Sequence, residues 1–334
     1  MRGRKMKRFV RVIPFQVNQQ VDEVNEVPKG IELIQAPKIW EETKGEGVTI
    51  AVLDTGCDID HPNLKDRIIG GRNFTDDDGG NPEIVNDYNG HGTHICGTIA
   101  ASEKDDGVVG VAPEANLLIV KVLNEHGSGQ YDWIIAGIQY AIEQKVDIIS
   151  MSLGGPDDNH ELYEAVKLAI INNILVVCAA GNEGDGNDST DEFAYPGRYN
   201  EVICVGAINF ERLSSGFTSS HDEIDLVAPG EEILSTYLNG KYATLSGTSM
   251  AAPHVSGALA LIKVWANNYF GRELSEPELY AQLIKRTVPL GFSPKLEGNG
   301  VIYLTVIEHL DKVFDQEFVD QVLQDCSAKP SAAT

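Results

Sequence analysis

Three stretches of this chain carry residue types that together could do nucleophilic chemistry. They are "VLDTGCDIDHP" with Asp54, "NGHGTHICGTIA" with His91 and "LSGTSMAAPHVSG" with Ser249. A serine hydroxyl is a poor nucleophile at neutral pH and needs an adjacent base, for which an imidazole with a pKa near 6.5 is suited. A carboxylate must then hold the imidazole in the right tautomer and stabilise the imidazolium. Each residue alone has a plainer reading. Asp54 could be a turn residue before Gly56, His91 a cap on the next helix, and Ser249 an N-cap before a buried helix. The three in this order and context point to acyl transfer through Ser249.

Such side chains must be delivered by a scaffold, and the sequence describes one. "VTIAVLDTG" (48–56), "ANLLIVKVL" (115–123), "VDIISMSLGG" (146–155), "ILVVCAAGN" (174–182) and "EVICVGA" (201–207) are continuous apolar runs, as in strands covered on both faces. Between them lie the helical stretches "HGTHICGTIAAS", "YDWIIAGIQYAIEQ" and "ELYEAVKLAIINN". A longer one, 249–270, is apolar almost all round, and 275–287 opens with a Ser-x-x-Glu capping box. The alternation predicts an α/β fold with a doubly wound, mostly parallel sheet and helices on both faces. Sites in such sheets lie beyond the carboxyl ends of the strands, in the loops "DTG", "SLGG" and "AAGNEG".

Composition narrows the function. A net charge of −24 over 334 residues argues against nucleic acid as a partner and against anionic membranes. No run of eighteen apolar residues could cross a bilayer. The acid is uneven, because residues 1–18 hold Arg2, Arg4, Lys5, Lys7, Arg8 and Arg11 and no carboxylate. Removing those six positive charges leaves −30 on the rest. Arg8 and Arg11 interrupt any apolar stretch a secretory signal would need. Five cysteines at scattered positions read as reduced, mostly buried thiols of a cytoplasmic protein. Cys96, about one turn after His91, could also make an enzyme sensitive to mercurials.

On "DTG", "HGTH" and "GTSMAAPHVSG", over roughly residues 40 to 290, the chain resembles the subtilisin-like serine proteases. The resemblance implies Ser249 as nucleophile, His91 as general base and then acid, and Asp54 as the orienting carboxylate, in the triad order already known for that family. It implies Asn182 as the oxyanion-hole donor beside the serine amide. Two glycine-containing edges, Gly127, Ser128 and Gly129 on one side and Ser152, Leu153 and Gly154 on the other, would clamp an extended polypeptide substrate as an added strand. Backbone pairing carries little sequence information, so broad specificity is expected. Ala194 matches a position lining the family's S1 pocket. Gly92 and Gly97 are expected to let the histidine helix approach the sheet, and Pro253 to fall in a first helical turn.

The family also binds calcium, through a loop matched here by "SEKDDGVV" (102–109) and a carboxylate after His-Pro. Asn63 stands where that acid is expected and Lys104 near an expected oxygen ligand. The resemblance therefore implies calcium in a remodelled site, with Asp105 and Asp106 as oxygen donors. A second cation, monovalent or divalent, is expected at Gly197, Tyr199 and Val202 with Asp225. Within the family the chain is most similar to the intracellular branch. That branch carries a short N-terminal inhibitory motif, read here as Val12-Ile13-Pro14-Phe15, and is homodimeric. In this reading "RFVRVI" enters the cleft as a strand and Pro14 bends the following peptide bond away from Ser249. The expected organisation is an inhibitory extension (1–18), a catalytic domain (19–310) and a C-terminal extension (311–334) in a dimer contact or packed on its own body.

Three other readings fit less well. An α/β-hydrolase esterase needs G-x-S-x-G and the order Ser, Asp, His. A dinucleotide-binding dehydrogenase needs G-x-G-x-x-G after the first strand, where "DTGCDI" stands. A non-catalytic binding protein on this fold would be expected to lack a triad member or Asn182, and none is missing.

Overall fold

The computed structural model describes residues 9–307. Arg2, Arg4, Lys5, Lys7, Arg8, Cys326 and the extension 311–334 lie outside the described residues. The apolar runs form the centre of a nine-stranded sheet. Its order is Thr287–Val288, Val301–Ile302, Leu226–Pro229, Ile203–Ile208, Leu175–Ala179, Ile148–Met151, Thr49–Asp54, Asn116–Lys121 and Ile68–Asn73. All neighbours are parallel except the first two, which are antiparallel. Thr49–Asp54 has a later strand on each side, so the order reverses there and opens a crevice at the carboxyl edge.

Alternate side chains of these strands enter opposite cores. Ile50, Val52, Ile119 and Val177 pack with Ile95, Ile99, Val255 and Leu259 of helices His91–Ala100 and Thr248–Phe270. Ala51, Leu53, Val120 and Val176 face helices Tyr131–Glu143 and His160–Ile171 through Ile134, Ile138, Leu162 and Val166. Each fully buried side chain of this size contributes roughly 1.5–3 kcal/mol, so burial on both faces fixes which strands pair. The capping box forms at Ser275 and Glu278 at the start of helix Glu276–Ile284.

Some packing differs from the sequence reading. Gly92 does meet the sheet's active edge: a Cβ there would lie 2.2 Å from the Gly56 carbonyl oxygen. Gly97 packs elsewhere, against Thr236 and Ser235 of the antiparallel strand Ile233–Thr236, outside the central sheet. The edge strand Ile68–Asn73 has no apolar run to announce it. Gly71 permits it, since a Cβ there would strike the Ile119 carbonyl oxygen at 2.3 Å.

Burial lowers the pKa values of four histidines, His61, His94, His221 and His254, and so makes the fold acid-sensitive. His94 donates to the carbonyls of Ile233 and Ala243, and His254 bonds the Met250 carbonyl. Burial pushes His94 down to about 3 and His254 down to about 4. Their pKa values are lower folded than unfolded, so the unfolded chain binds more protons below about pH 6.5 and stability falls as pH drops from there toward 4. Each should cost about 2 kcal/mol between pH 7 and 5. Urea unfolding of the Ser249→Ala chain at the two pH values should show this loss, and adding His254→Asn should remove about 2 kcal/mol of it. His94, and His221 which burial also holds down to about 4, should keep their shares. An unchanged loss in the variant would contradict the assignment.

Candidate active site

Strand Thr49–Asp54 ends by presenting Asp54, which is 1% exposed. Its Oδ1 accepts from the Thr55 amide at 2.7 Å and faces His91 Nδ1 at 2.8 Å, which fixes the ring with Nε2 turned to the cleft. His91 opens its helix behind Gly90, whose φ of +98° suits only glycine without strain. His91 Nε2 has no hydrogen-bond partner among the described residues.

The histidine helix is aimed by a residue the sequence reading missed. Asp87 is buried and takes five hydrogen bonds, from Thr55 Oγ1, the amides of Asn89, Gly90 and Thr93, and Thr93 Oγ1, at 2.7–3.0 Å. It ties the turn after Asp54 to the first turn of the helix carrying His91. An acidic residue four positions before a helix-opening histidine was the available signal. A second missed residue is Lys121, fully buried at the end of Asn116–Lys121 and in register with Asp54. Its ammonium donates to the Thr55 carbonyl at 2.6 Å and pairs with Asp77 at 2.9 Å. A lysine inside "LLIVKVL" was the signal, since a buried ammonium needs partners.

Ser249 is the second residue of helix Thr248–Phe270. Pro253 falls in that helix's second turn, not its first, and removes the amide that would bond the Ser249 carbonyl. Ser152 supplies the substitute: its Oγ donates to the Ser249 carbonyl at 2.9 Å. In return Ser249 Oγ donates to the Ser152 carbonyl at 3.3 Å, so the hydroxyl is turned to Ser152 and not to His91. Asn182 stands across the cleft. Its Oδ1 accepts from the Thr248 amide and hydroxyl at 2.9 and 2.8 Å, which directs Nδ2 into the cleft. Gly247 leaves room for it, as a Cβ there would lie 2.8 Å from that nitrogen.

The cleft holds the chain's own residues. Phe9–Val12 lies antiparallel between two edges, pairing Phe9, Val10 and Arg11 with Gln130, Gly129 and Ser128, and Arg11 and Val12 with Gly154 and Leu153. The Val12 amide also reaches the Gly127 carbonyl at 2.8 Å. Val12 and Ile13 are buried, and Ala194 borders a cavity of about 440 Å³ beside Pro14, with Gly154, Gly181 and Phe193. The strand pairing ends at Val12, before Pro14, whose carbonyl accepts a hydrogen bond from Asn182 Nδ2. Phe15 follows with its ring centroid 4.8 Å from that of His91. Residues Gln16–Val21 then pair antiparallel with Tyr242–Ser246, the strand leading to Ser249.

Two metal sets were expected. Asn63 does not fit the first as an oxygen ligand, because its Nδ2 donates to the carbonyls of Ser102 and Asp106. Asp105 and Asp106 point to solvent on an exposed turn. At the second, Asp225 accepts from the Cys204 amide and the Tyr280 hydroxyl in a groove lined also by Val202, Glu201, Glu223 and Glu276. Gly197 and Tyr199 do not line it, and the Tyr199 carbonyl accepts from the Val202 amide. Among the described residues no three His, Cys, Asp or Glu side chains form a metal-binding group. Cys96 is buried against Cys57, and burial holds the Cys57 thiol well above its ordinary range.

Comparison with known proteins agrees with the geometry. Residues 45–311 match the model of the subtilase family, Peptidase_S8. An intracellular serine protease of Paenibacillus polymyxa is 69% identical over 324 residues, 97% of this chain and 99% of that protein. The major intracellular serine protease of Bacillus subtilis (strain 168) is 60% identical over 309 residues, 92% of this chain and 97% of that protein. Subtilisin E of the same strain is 46% identical over 249 residues, 72% of this chain and 63% of that protein.

The Ser152 to Ser249 pairing makes a testable energetic claim. Ser152→Ala leaves a buried carbonyl unpaired and should cost about 1–3 kcal/mol by urea unfolding. In a Pro253→Ala background the helix amide returns, and the same substitution should cost at least ~1 kcal/mol less. Equal costs in the two backgrounds would show that the Ser152 hydroxyl does not replace the missing amide.

Proposed function

We propose, from the premise that this chain belongs to the subtilase family of serine proteases, that it is a broad-specificity intracellular endopeptidase held inactive by its own N-terminal segment. Catalysis follows the triad. His91 Nε2 takes the Ser249 proton as the hydroxyl attacks the scissile carbonyl, and later returns it to the leaving amine. Asp54 stabilises the imidazolium, and Asn182 Nδ2 with the Ser249 amide binds the oxyanion. Losing the Asn182 donor is worth ~3 kcal/mol in subtilisin itself, a figure carried over to this chain, not obtained from it.

The observation that carries the inhibitory reading is the strand Phe9–Val12 between Ser128–Gln130 and Leu153–Gly154, with the Pro14 carbonyl against Asn182. The segment takes both backbone edges and the oxyanion donor, the groups a substrate would use. Hydrolysis of the Pro14–Phe15 bond requires the Ser249 hydroxyl to leave the Ser152 carbonyl and turn to His91, beneath the Phe15 ring. Release then falls to a second protease molecule. Broad specificity is supported by the same edges, which pair through backbone atoms.

An intracellular, cytoplasmic location is supported by the names of the Paenibacillus polymyxa and Bacillus subtilis intracellular serine proteases, 69% and 60% identical to this chain. Polypeptides are the substrates, with no role for nucleic acid or membrane. A homodimer belongs to the same reading, and exposed Tyr269 and Phe270 offer it an apolar surface. A cation, calcium or a monovalent ion, is proposed at Gly197, Tyr199, Val202 and Asp225.

Intact mass against time for the full-length protein and its Ser249→Ala variant, with casein hydrolysis in parallel, tests the inhibitory segment. The wild type should shed its N-terminus and gain activity, and the variant should stay whole and inert. A wild type that keeps its full mass yet digests casein from the start would overturn the inhibition while leaving the protease assignment intact.

A further inference from the structure

The loop after the histidine helix meets the 61–66 turn in a way that a metal-binding loop would not. Asn63 is 1% exposed and all its side-chain hydrogen-bonding capacity is directed. The two Nδ2 protons go to the Ser102 carbonyl at 3.3 Å and the Asp106 carbonyl at 3.2 Å, and Oδ1 accepts from the Tyr242 hydroxyl at 2.7 Å. The Ser102 amide closes the pair by donating to the Asn63 carbonyl at 2.7 Å. The interior of the loop is filled: a Cβ at Gly107 would lie 2.2 Å from Asn63 Oδ1 and 2.7 Å from its Nδ2.

Lys104 adds the charge. Its ammonium donates to the Pro62 carbonyl at 2.6 Å and to Asp66 Oδ2 at 2.7 Å, spanning from the loop to the same turn. This ion pair is partly exposed, so it contributes less than the buried amide. The two substitutions belong together electrostatically. An amide at 63 with an ammonium at 104 carries the same net charge, one positive, as a carboxylate at 63 with a divalent ion. Here the loop carbonyls meet the amide protons of Asn63, and the ammonium sits on the facing turn at Pro62 and Asp66.

We propose that this loop carries its own cation: the Asn63 amide and the Lys104 ammonium take the place of a divalent metal ion, so residues 102–107 keep their shape without one. The Asn63 protons satisfy the carbonyls that a calcium ion would gather, and the tether of Lys104 to Pro62 and Asp66 supplies the missing charge. Any dependence of this protein on calcium then resides elsewhere, in the groove around Asp225.

Hydrogen exchange read by mass spectrometry tests this on the full-length Ser249→Ala chain, which cannot digest itself. Peptides covering 102–109 are compared in excess EDTA and in excess calcium chloride. Their exchange should agree within ~2-fold, whatever happens in peptides covering 197–203. Asn63→Asp places a carboxylate against the Ser102 and Asp106 carbonyls. Its loop should exchange ~10-fold faster in EDTA and recover with calcium. Lys104→Ala should raise exchange over 102–109 with or without calcium. A wild-type loop whose exchange rises ~10-fold on chelation, while the strand 116–121 is unchanged, would overturn the proposal. So would a Lys104→Ala loop whose exchange matches that of the parent chain.

Discussion

The contact between His91 Nδ1 and Asp54 Oδ1, 2.8 Å long and closed to water, is the constraint around which the rest is arranged. A carboxylate withdrawn from solvent costs several kcal/mol unless donors surround it. Here the Thr55 amide and the imidazole both serve Oδ1, while Oδ2 is buried with no hydrogen-bond partner among the described residues. The Lys121 ammonium is held by the Thr55 carbonyl, one residue along the chain. The histidine must arrive at a fixed angle for this to work, and Asp87 sets that angle by gathering the amides of the first helical turn while holding Thr55. The central sheet supports the arrangement in turn, because the full register of Thr49–Asp54 with Asn116–Lys121 brings Asp54 and Lys121 to the same edge.

The nucleophile's side of the cleft is governed by a different shortage. Pro253 denies the Ser249 carbonyl its helical partner, and the Ser152 hydroxyl makes up the loss. The same Ser152 leads into Leu153–Gly154, one of the two edges against which an extended chain pairs. Helix start and binding edge are thus locked together, and the serine's placement depends on the strand that receives the substrate. In this structure the serine hydroxyl rests on the Ser152 carbonyl with the N-terminal strand in the cleft.

Much of this was legible in the sequence because it rests on patterns with a period. The apolar runs around 48–56, 115–123, 146–155, 174–182 and 201–207 each became a central parallel strand, and the helices between them followed. The three motifs led to side chains that the fold brings to one edge. What stayed hidden was the identity of partners. "NDYNGHG" gives Asp87 the appearance of an ordinary turn residue, since one of its five donors lies 32 positions earlier, at Thr55, and the others follow it at Asn89, Gly90 and Thr93. Pro253 looked harmless in a first turn until the helix was seen to begin at Thr248. The edge strand Ile68–Asn73 and the hairpin Ile233–Thr236 with Tyr242–Ser246 lack the continuous runs that mark buried parallel strands.

Resemblance transfers positions better than it transfers donors. Asn182 and Asn63 are both buried at one end by backbone they must satisfy, and each amide is oriented by its oxygen. Thr248 fixes Asn182 so that its protons face the cleft, and Tyr242 fixes Asn63 so that its protons face a loop. At 182 the donor end is what an oxyanion needs, so the residue type and the chemistry agree. At 63 the same donor end meets two carbonyls that a carboxylate could share only by recruiting a cation. An exchange of acceptor for donor at 63, joined by the Lys104 ammonium on the same turn, therefore changes what the loop can hold. The direction in which the buried protons point, more than the match of letters, decides which properties of the family this chain keeps.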